Sequence, residues 1–325
     1  MASKTVNIKD VAHLAQVSTA TVSRYLHGEL NRMAPATAQK VAAAIDKLNY
    51  VPNAAARQLI TNTSKTIAVI VVNAADSFST ALFKGVCSVL EPEGYIPALL
   101  DTDSSQAKEK KLINSVGLST YDGLILQPLG SDVATIKEEV RRQMPIITLD
   151  RNLDYSPWPQ IISNNFDISQ KAARYFYQQG FQDIIVLTSP IAIASTRQQR
   201  LAGLKSVYQQ INLIEIDENH YEHHHIITEL RQILKNSSKK TLIFGIKERW
   251  LLEFLPELIS LGLLKDNNIQ ISGFADTQLV PAIWPGAKMI NQHPWQMGKQ
   301  AGIQILQLIN KKSDISPTTI IPANF

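Results

Sequence analysis

At Thr66 the texture of the chain changes. Upstream, apolar residues recur at helical spacing (Ile8, Val11, Ala12, Ala15, then Val41, Ala44, Ile45, Leu48), with no strand pattern among them. Downstream come short apolar runs of the kind that fill buried strands: Ile67–Val72, Pro97–Leu100, Gly123–Leu126, Ile146–Leu149, Ile184–Leu187, Thr241–Ile246 and Ile269–Gly273. Helical stretches such as 81–93, 169–179 and 250–261 separate most of them. Strand and helix alternating over about 250 residues requires parallel sheets covered on both faces, because each parallel crossover lays a helix on the sheet. At about 125 residues per sheet, two similar α/β halves fit better than one large sheet. Pro157-Trp158-Pro159 and His293-Pro294 mark the expected crossings between halves.

Charge follows the same division. Residues 1–65 hold eight Lys and Arg against three Asp and Glu, and the rest of the chain holds 24 against 25. The formal net charge of +4 therefore belongs to the first fifth. A basic head on a near-neutral body suits a polyanionic partner, with a merely solvated basic surface as the alternative. A 45% apolar composition excludes a disordered chain. No apolar run approaches the roughly 20 residues of a membrane span, and the first 30 residues lack the apolar core of a signal peptide. Cys87 is the single cysteine, which excludes an intrachain disulfide and a Cys-built metal site. The expected location is the cytoplasm.

The sharpest signal runs from Val6 to Gly28. A helix over 8–15, a turn at Gln16-Val17-Ser18 and a second helix from Thr19 give helix-turn-helix spacing. Ser18 suits the N-cap, and Val11, Val17, Val22 and Leu26 can fill the space between the helices. The second helix would enter a major groove by its N-terminal end, bringing Thr19, Ala20 and Arg24 to base edges. Arg24 can donate two hydrogen bonds to one guanine, and Ala20 can touch a thymine methyl. Ser18, Thr21 and Ser23 suit phosphate contacts, which position without specifying. An amphipathic helical hairpin with no DNA partner is the competing reading.

That motif, then Tyr50-Val-Pro-Asn-Ala-Ala-Ala-Arg-Gln-Leu59, then Thr66-Ile-Ala-Val-Ile-Val-Val72, resembles the LacI/GalR family of bacterial transcription regulators. Later markers are Gly123-Leu-Ile-Leu126, Leu149-Asp-Arg151, Asn164-Asn165, Arg200-Leu-Ala-Gly203, Ser272-Gly-Phe274 and Met297-Gly298. Asn31-Arg-Met33, Phe78-Ser79, Leu82-Phe-Lys-Gly85 and Ser195-Thr-Arg197 are similar to its KdgR-like branch, associated with 2-keto-3-deoxygluconate. The resemblance implies an all-α helix-turn-helix head (1–60) and a periplasmic-binding-protein-like α/β core (61–325) of two doubly wound parallel-sheet subdomains. The first would take about 66–162 and 293–312, the second about 163–292 and 318–325. It also implies a homodimer on a pseudopalindromic operator, not an enzyme, with no cofactor. Residues 53–60 match the family's hinge helix, with Asn53, Ala56, Arg57 and Leu59 at the minor groove. Leu59 matches the leucine that wedges between central base pairs. An ordinary interdomain packing role for Leu59 is the alternative.

The same resemblance places a small effector between the halves, past the C-terminal ends of the strands. The matching positions are Asp76, Phe78, Gln127, Asp150, Arg151, Asn165, Arg197, Arg200, Lys247 and Asp276. Two departures from the family pattern stand out. Lys247-Glu248 replaces the usual Asn-Asp, and Ala275 stands where an Asp is common. Both would make the cleft more cationic and favour an anionic effector, a sugar acid or sugar phosphate. The alternative is a Lys247 neutralised by Glu248 or Asp276, or turned to solvent. Gln16 replaces the family's turn glycine, at the cost of some strain if φ is positive.

Other signals carry less. His223-His224-His225 reads as surface histidine rather than a metal site, since adjacent residues on a helix cannot all face one ion. No phosphate-cradling glycine loop, G-x-S-x-G or H-E-x-x-H is present. The four Trp read as packing residues, with Trp158 the one candidate for the cleft wall. The resulting expectation is a repressor of sugar or sugar-acid genes, released by a small effector. A corepressor-dependent or global carbon-catabolite regulator is the alternative, and a transporter's solute-binding protein is disfavoured by the head. Leu59→Ala should spare effector binding while weakening the operator complex and reducing DNA bending. Full wild-type bending by Leu59→Ala, read by circular-permutation gel shift, would refute the wedge.

Overall fold

The computed structural model describes residues 6–26, 28–51, 63–130, 132–218, 220–264, 268–312 and 314–325. Contacts divide the chain into two compact units, with the boundary between Ser64 and Lys65.

In the first unit, α1 (Ile8–Ala15), α2 (Thr19–Leu26) and α3 (Pro35–Leu48) surround a small core of Val11, Ala12, Ala15, Val22, Val41, Ala44 and Tyr50. Both ends of α1 are fixed by local chemistry. Asn7 Oδ1 accepts from the Lys9 amide at 2.9 Å, and Asp10 returns the favour to the Asn7 amide at 2.8 Å. At the other end Gln16 adopts φ 55°, and the Val17 amide bonds back to Ala12 O. The left-handed turn therefore exists without the glycine that usually eases it. Ser18 Oγ caps α2 by accepting from the Thr21 amide at 3.1 Å.

The second unit holds two parallel sheets. The first orders its strands β2-β1-β3-β4-β5-β11: β1 (Thr66–Val71), β2 (Ile96–Asp101), β3 (Gly123–Leu126), β4 (Ile146–Asp150), β5 (Gln160–Ile162) and β11 (Thr318–Ile320). The second runs β7-β6-β8-β9-β10: β6 (Phe181–Thr188), β7 (Asn212–Glu215), β8 (Lys240–Gly245), β9 (Ile269–Phe274) and β10 (Lys288–Ile290). Central strands such as 67–71 and 242–245 are buried throughout, which is why they read as unbroken apolar runs.

Three connections join the lobes. The first follows β5 at Ser163-Asn164, so Pro157-Trp158-Pro159 leads into a strand of the first sheet and is not itself the crossing. The second, 291–293, leads into α12 (Pro294–Ile309), whose Met297, Ala301 and Ile305 pack in the first lobe. The third follows β11. Residues 318–325 do not all lie in the second lobe, which corrects the sequence partition. The β-branched Thr318-Thr319-Ile320 extends the first sheet along β5, and only the last residues reach the second, where Ala323 and Phe325 join its core.

α12 lies unusually close to α4 (Ser77–Leu90). A Cβ on Gly298 would fall on the Leu82 carbonyl oxygen, and one on Gly85 on the Trp295 carbonyl oxygen. Two backbones thus touch where any side chain would separate them. Gly298→Ala should cost the core about 1–3 kcal/mol, measured by urea unfolding of the 65–325 signal. An unchanged midpoint would mean that the helices slide apart freely.

Candidate functional site

The structure offers two surfaces, one in each unit. In the head, the Ser18 cap and the turn before it set where α2 starts; Thr19 and Ala20 are exposed in its first turn and Arg24 in its last. Val22 is fully buried against α1, so the outward face is fixed by packing from behind. Ser18 Oγ and Thr21 Oγ1 lie 2.9 Å apart and share a hydrogen bond at the start of the helix. Asn53, Ala56, Arg57 and Leu59 lie outside the described residues.

In the core, nine of the ten nominated residues meet in one cleft between the lobes: Asp76, Phe78, Gln127, Asp150, Arg151, Arg197, Arg200, Lys247 and Asp276. Seven of them follow the C-terminal ends of strands or open the helix after them, Asp150 is the last residue of its strand, and Arg200 sits in the middle of the helix over 195–205. The space left between them is about 70 Å³, room for a few water molecules. Its lining of carboxylates, guanidiniums and amides is suited to polar rather than apolar contents. Asn165 is the exception. It is buried behind the wall, where its Oδ1 accepts from Arg200 Nε at 2.8 Å. Trp158 packs against the core of the first lobe and does not line the cleft.

The first lobe supplies acceptors. Asp76 caps α4 by accepting from the Phe78 amide at 3.1 Å. Gln127 accepts from the Val72 amide and donates Nε2 to Asp150 at 3.0 Å, which fixes the orientation of both. Asp150 itself sits at φ 65°, a left-handed position at the end of β4. Beside it Arg151 donates Nη1 to Leu129 O at 2.8 Å, while its buried Nε has no partner among the described residues. Burial lowers the Arg151 guanidinium to about 10, so it still carries its charge at neutral pH.

The second lobe supplies most cations. Arg200 donates to Asn165, to Ile246 O at 2.8 Å and to Gln292 Oε1, and stacks 3.8 Å over the Phe274 ring. Arg197, at the start of α8 (Ser195–Lys205), donates to Pro190 O at 3.0 Å and to Glu218 at 2.8 Å. Lys247 reaches Glu218 Oε1 at 3.0 Å and Asp76 of the other lobe at 4.0 Å. Neither Glu248 nor Asp276 neutralises it. Glu248 instead accepts from the Asp276 amide and the Thr277 hydroxyl.

Glu218 and Gln292 were not among the nominated residues. Glu218 is the hub of the second lobe: Ser189, Arg197 and Lys247 donate to its Oε1, and Arg249 lies 3.7 Å from Oε2. Burial alone would raise its carboxyl, yet Lys247, the Ser189 hydroxyl and Arg197 hold it at about 2. Ser189 in turn accepts from the Trp250 indole at 3.1 Å. With Arg249 and Glu248 also on the wall, the five cations of the cleft face five carboxylates including Glu218. The expected cationic surplus is therefore absent from the count, because Glu218 offsets it.

His223 opens α9 (His223–Asn236) and bridges Glu253 at 3.1 Å and Glu257 at 2.7 Å on the neighbouring helix. His224 and His225 are exposed. Among the described residues no cluster of His, Cys, Asp or Glu could hold a metal ion, and no helix is long and apolar enough to cross a membrane.

Comparison with known proteins agrees with this arrangement. Residues 7–53 match the model described as bacterial regulatory proteins, lacI family, and 64–231 match periplasmic binding proteins and sugar binding domain of LacI family. The HTH-type transcriptional regulator KdgR of Bacillus subtilis is 31% identical over 309 residues, 93% of this chain and 91% of that one. A LacI transcriptional regulator from Lactobacillus brevis has a crystal structure that superposes at TM-score 0.76 with 38% identity, over 80% of this chain and 99% of that one. The lac repressor dimer bound to operator and an anti-inducer shares the fold at TM-score 0.84 and 22% identity, over 99% and 97%.

Asp276 makes the cleft sensitive to pH. Burial raises its carboxyl from 3.8 to about 6, against the two donors of Gln292 and the charge of Arg200. A raised carboxyl means that the native state holds its proton more tightly than the unfolded chain. Its ionisation therefore lowers stability as pH climbs from 3.8 through about 6. Thermal melts should show wild type losing ground to Asp276→Asn across that window and running parallel above it. A constant difference would mean that Asp276 ionises as freely as an exposed carboxylate.

Proposed function

Because the chain belongs to the LacI family of bacterial regulatory proteins, we propose that it is a DNA-binding transcriptional repressor of sugar-acid catabolic genes, working in the bacterial cytoplasm as a homodimer. The observation that carries the DNA reading is the exposed face of α2, where Thr19 and Ala20 of the first turn and Arg24 of the last stand clear of a fully buried Val22. Two such helices, related by a dimer axis, read the two halves of a pseudopalindromic operator. Arg24 reads a guanine, Thr19 and Ala20 flank it, and Ser18, Thr21 and Ser23 hold phosphates. Asn53, Ala56, Arg57 and Leu59 engage the minor groove.

The effector is a small polyhydroxy acid such as 2-keto-3-deoxygluconate, and its binding releases the operator. Asp76, Asp150, Gln127 and Asp276 suit hydroxyls, and Phe78 offers an apolar face to the carbon chain. Support for the acid group comes from how the cations are held. Arg151 and Arg200 are buried on uncharged acceptors, and Arg151 Nε is unpartnered, so an anion arriving there meets guanidiniums without a carboxylate in contact. Linkage makes the effect reciprocal: operator and effector each weaken the other.

Fluorescence anisotropy on a symmetric operator with a central C·G step tests the whole scheme. Release by 2-keto-3-deoxygluconate and not by neutral hexoses is the expected result. Release by hexoses alone would overturn the acid, and tighter binding on adding ligand would make it a corepressor system. Arg24→Ala should cost about 1–3 kcal/mol on operator and leave salt-sensitive binding to random DNA intact. Equal losses on both DNAs would make Arg24 a phosphate contact.

A further inference from the structure

Glu218 has the geometry of a bound anion. A single oxygen, Oε1, receives the Ser189 hydroxyl at 2.6 Å, Arg197 Nη2 at 2.8 Å and Lys247 Nζ at 3.0 Å. Among the described residues the second oxygen has only Arg249, at 3.7 Å. Three donors converging on one point are what a protein builds to hold an oxyanion. The carboxylate that fills the point comes from a loop, past the end of β7, whereas Arg197 is held by α8 and Lys247 follows β8.

Two further observations separate this arrangement from an ordinary buried ion pair. Three cations (Arg197, Lys247 and Arg249) crowd one carboxylate, with Asp76 reaching Lys247 only at 4.0 Å from the other lobe, so the cluster is locally positive although the cleft as a whole balances. Arg197 and Lys247 also line the cleft, and Lys247 is shared with Asp76 across it. The cations that Glu218 engages are thus among those an incoming ligand meets, beside Arg151 and Arg200.

We propose that Glu218 is an internal counter-anion that competes with the anionic group of the effector for Arg197 and Lys247, and so determines which acids the cleft accepts. The proposal rests on the anionic-effector reading above and deepens it. A strong anion of fitting shape takes over the donors, and the Glu218 loop yields. A weak or badly placed anion leaves Glu218 where it is. Neutral sugars do not compete for the position at all.

Calorimetry on the full chain tests this with inorganic phosphate, D-gluconate and D-glucose as titrants. Glu218→Gln removes the competing charge a few ångströms from the ligand and should tighten binding of both anions on the order of tenfold or more. Glucose affinity should stay within about twofold, the size of an uncharged rearrangement. Glu218→Asp keeps the charge but draws it back, and should fall between wild type and the Gln variant. It carries the test by itself if Gln prevents folding. Anion affinity that is unchanged or lower in both variants would overturn the proposal and make Glu218 a brace for Arg197 and Lys247. So would a glucose shift equal to the anion shift. A protein that releases operator with a neutral sugar, yet gains phosphate affinity on Glu218→Gln, would refute the effector reading and leave the counter-anion supported.

Discussion

The second unit depends on one buried guanidinium. Arg200 donates to Asn165 on the first connection between lobes, to Gln292 on the second, and to the Ile246 carbonyl at the end of β8. The neighbouring Asn164 takes the Ala323 amide of the third at 2.8 Å. A backbone bridge between Asn291 and Asn324 joins the second connection to the third. Three strands of chain passing between two sheets would otherwise be independent joints. Bound to one another through Asn164, Asn165, Arg200 and Gln292, they act as a single seam. Burying a charged group for this purpose is costly, and one hydrogen bond from each guanidinium nitrogen with a stacked Phe274 face offsets the cost.

The seam explains why the cleft is both polar and ordered. Residues that touch it, Asp276 through Gln292 and Arg200 through Phe274, also line the ligand space. A ligand that pulls on Asp276 or on the Arg200 face therefore pulls on the connections between lobes, without any long chain of intermediates. Across the cleft, Lys247 divides its charge between Asp76 of one lobe and Glu218 of the other. Ligand recognition and the separation of the lobes share the same few side chains. That is the physical requirement for a site whose occupancy is read elsewhere in the molecule.

Much of this was legible in the residues. The helix-turn-helix and its Ser18 cap follow from spacing and from the chemistry of a hydroxyl at a helix start. The central strands announced themselves by being apolar on both faces. What escaped were β5, β7, β10 and β11, each three or four residues long and partly exposed, with too few apolar positions to show a period. The two overlooked site residues follow from this. Glu218 lies just past β7 and Gln292 just past β10, so neither could be placed at a strand end when the strand itself had not been seen. Asn212-Leu-Ile-Glu-Ile216 carried a faint strand signal that, had it been read, would have brought Glu218 into the cleft. The charge balance of the cleft is hidden in the residues for the same reason, since the carboxylate past β7 is the one that answers Lys247. Residues 318–320 went to the wrong lobe because their pairing with β5 is a long-range contact that no local pattern encodes.

Trp250 is fully buried, and its indole N–H ends on Ser189 Oγ, one hydrogen bond from Glu218 and two from the cations of the cleft. Its ring also lies 4.9 Å from the Arg249 guanidinium. The emission energy of an indole shifts with the field across it, and here that field is set by the charges that meet a ligand. A ligand that displaces those charges is expected to shift the emission of Trp250, an indole wired to the cleft by a serine, with no attached dye.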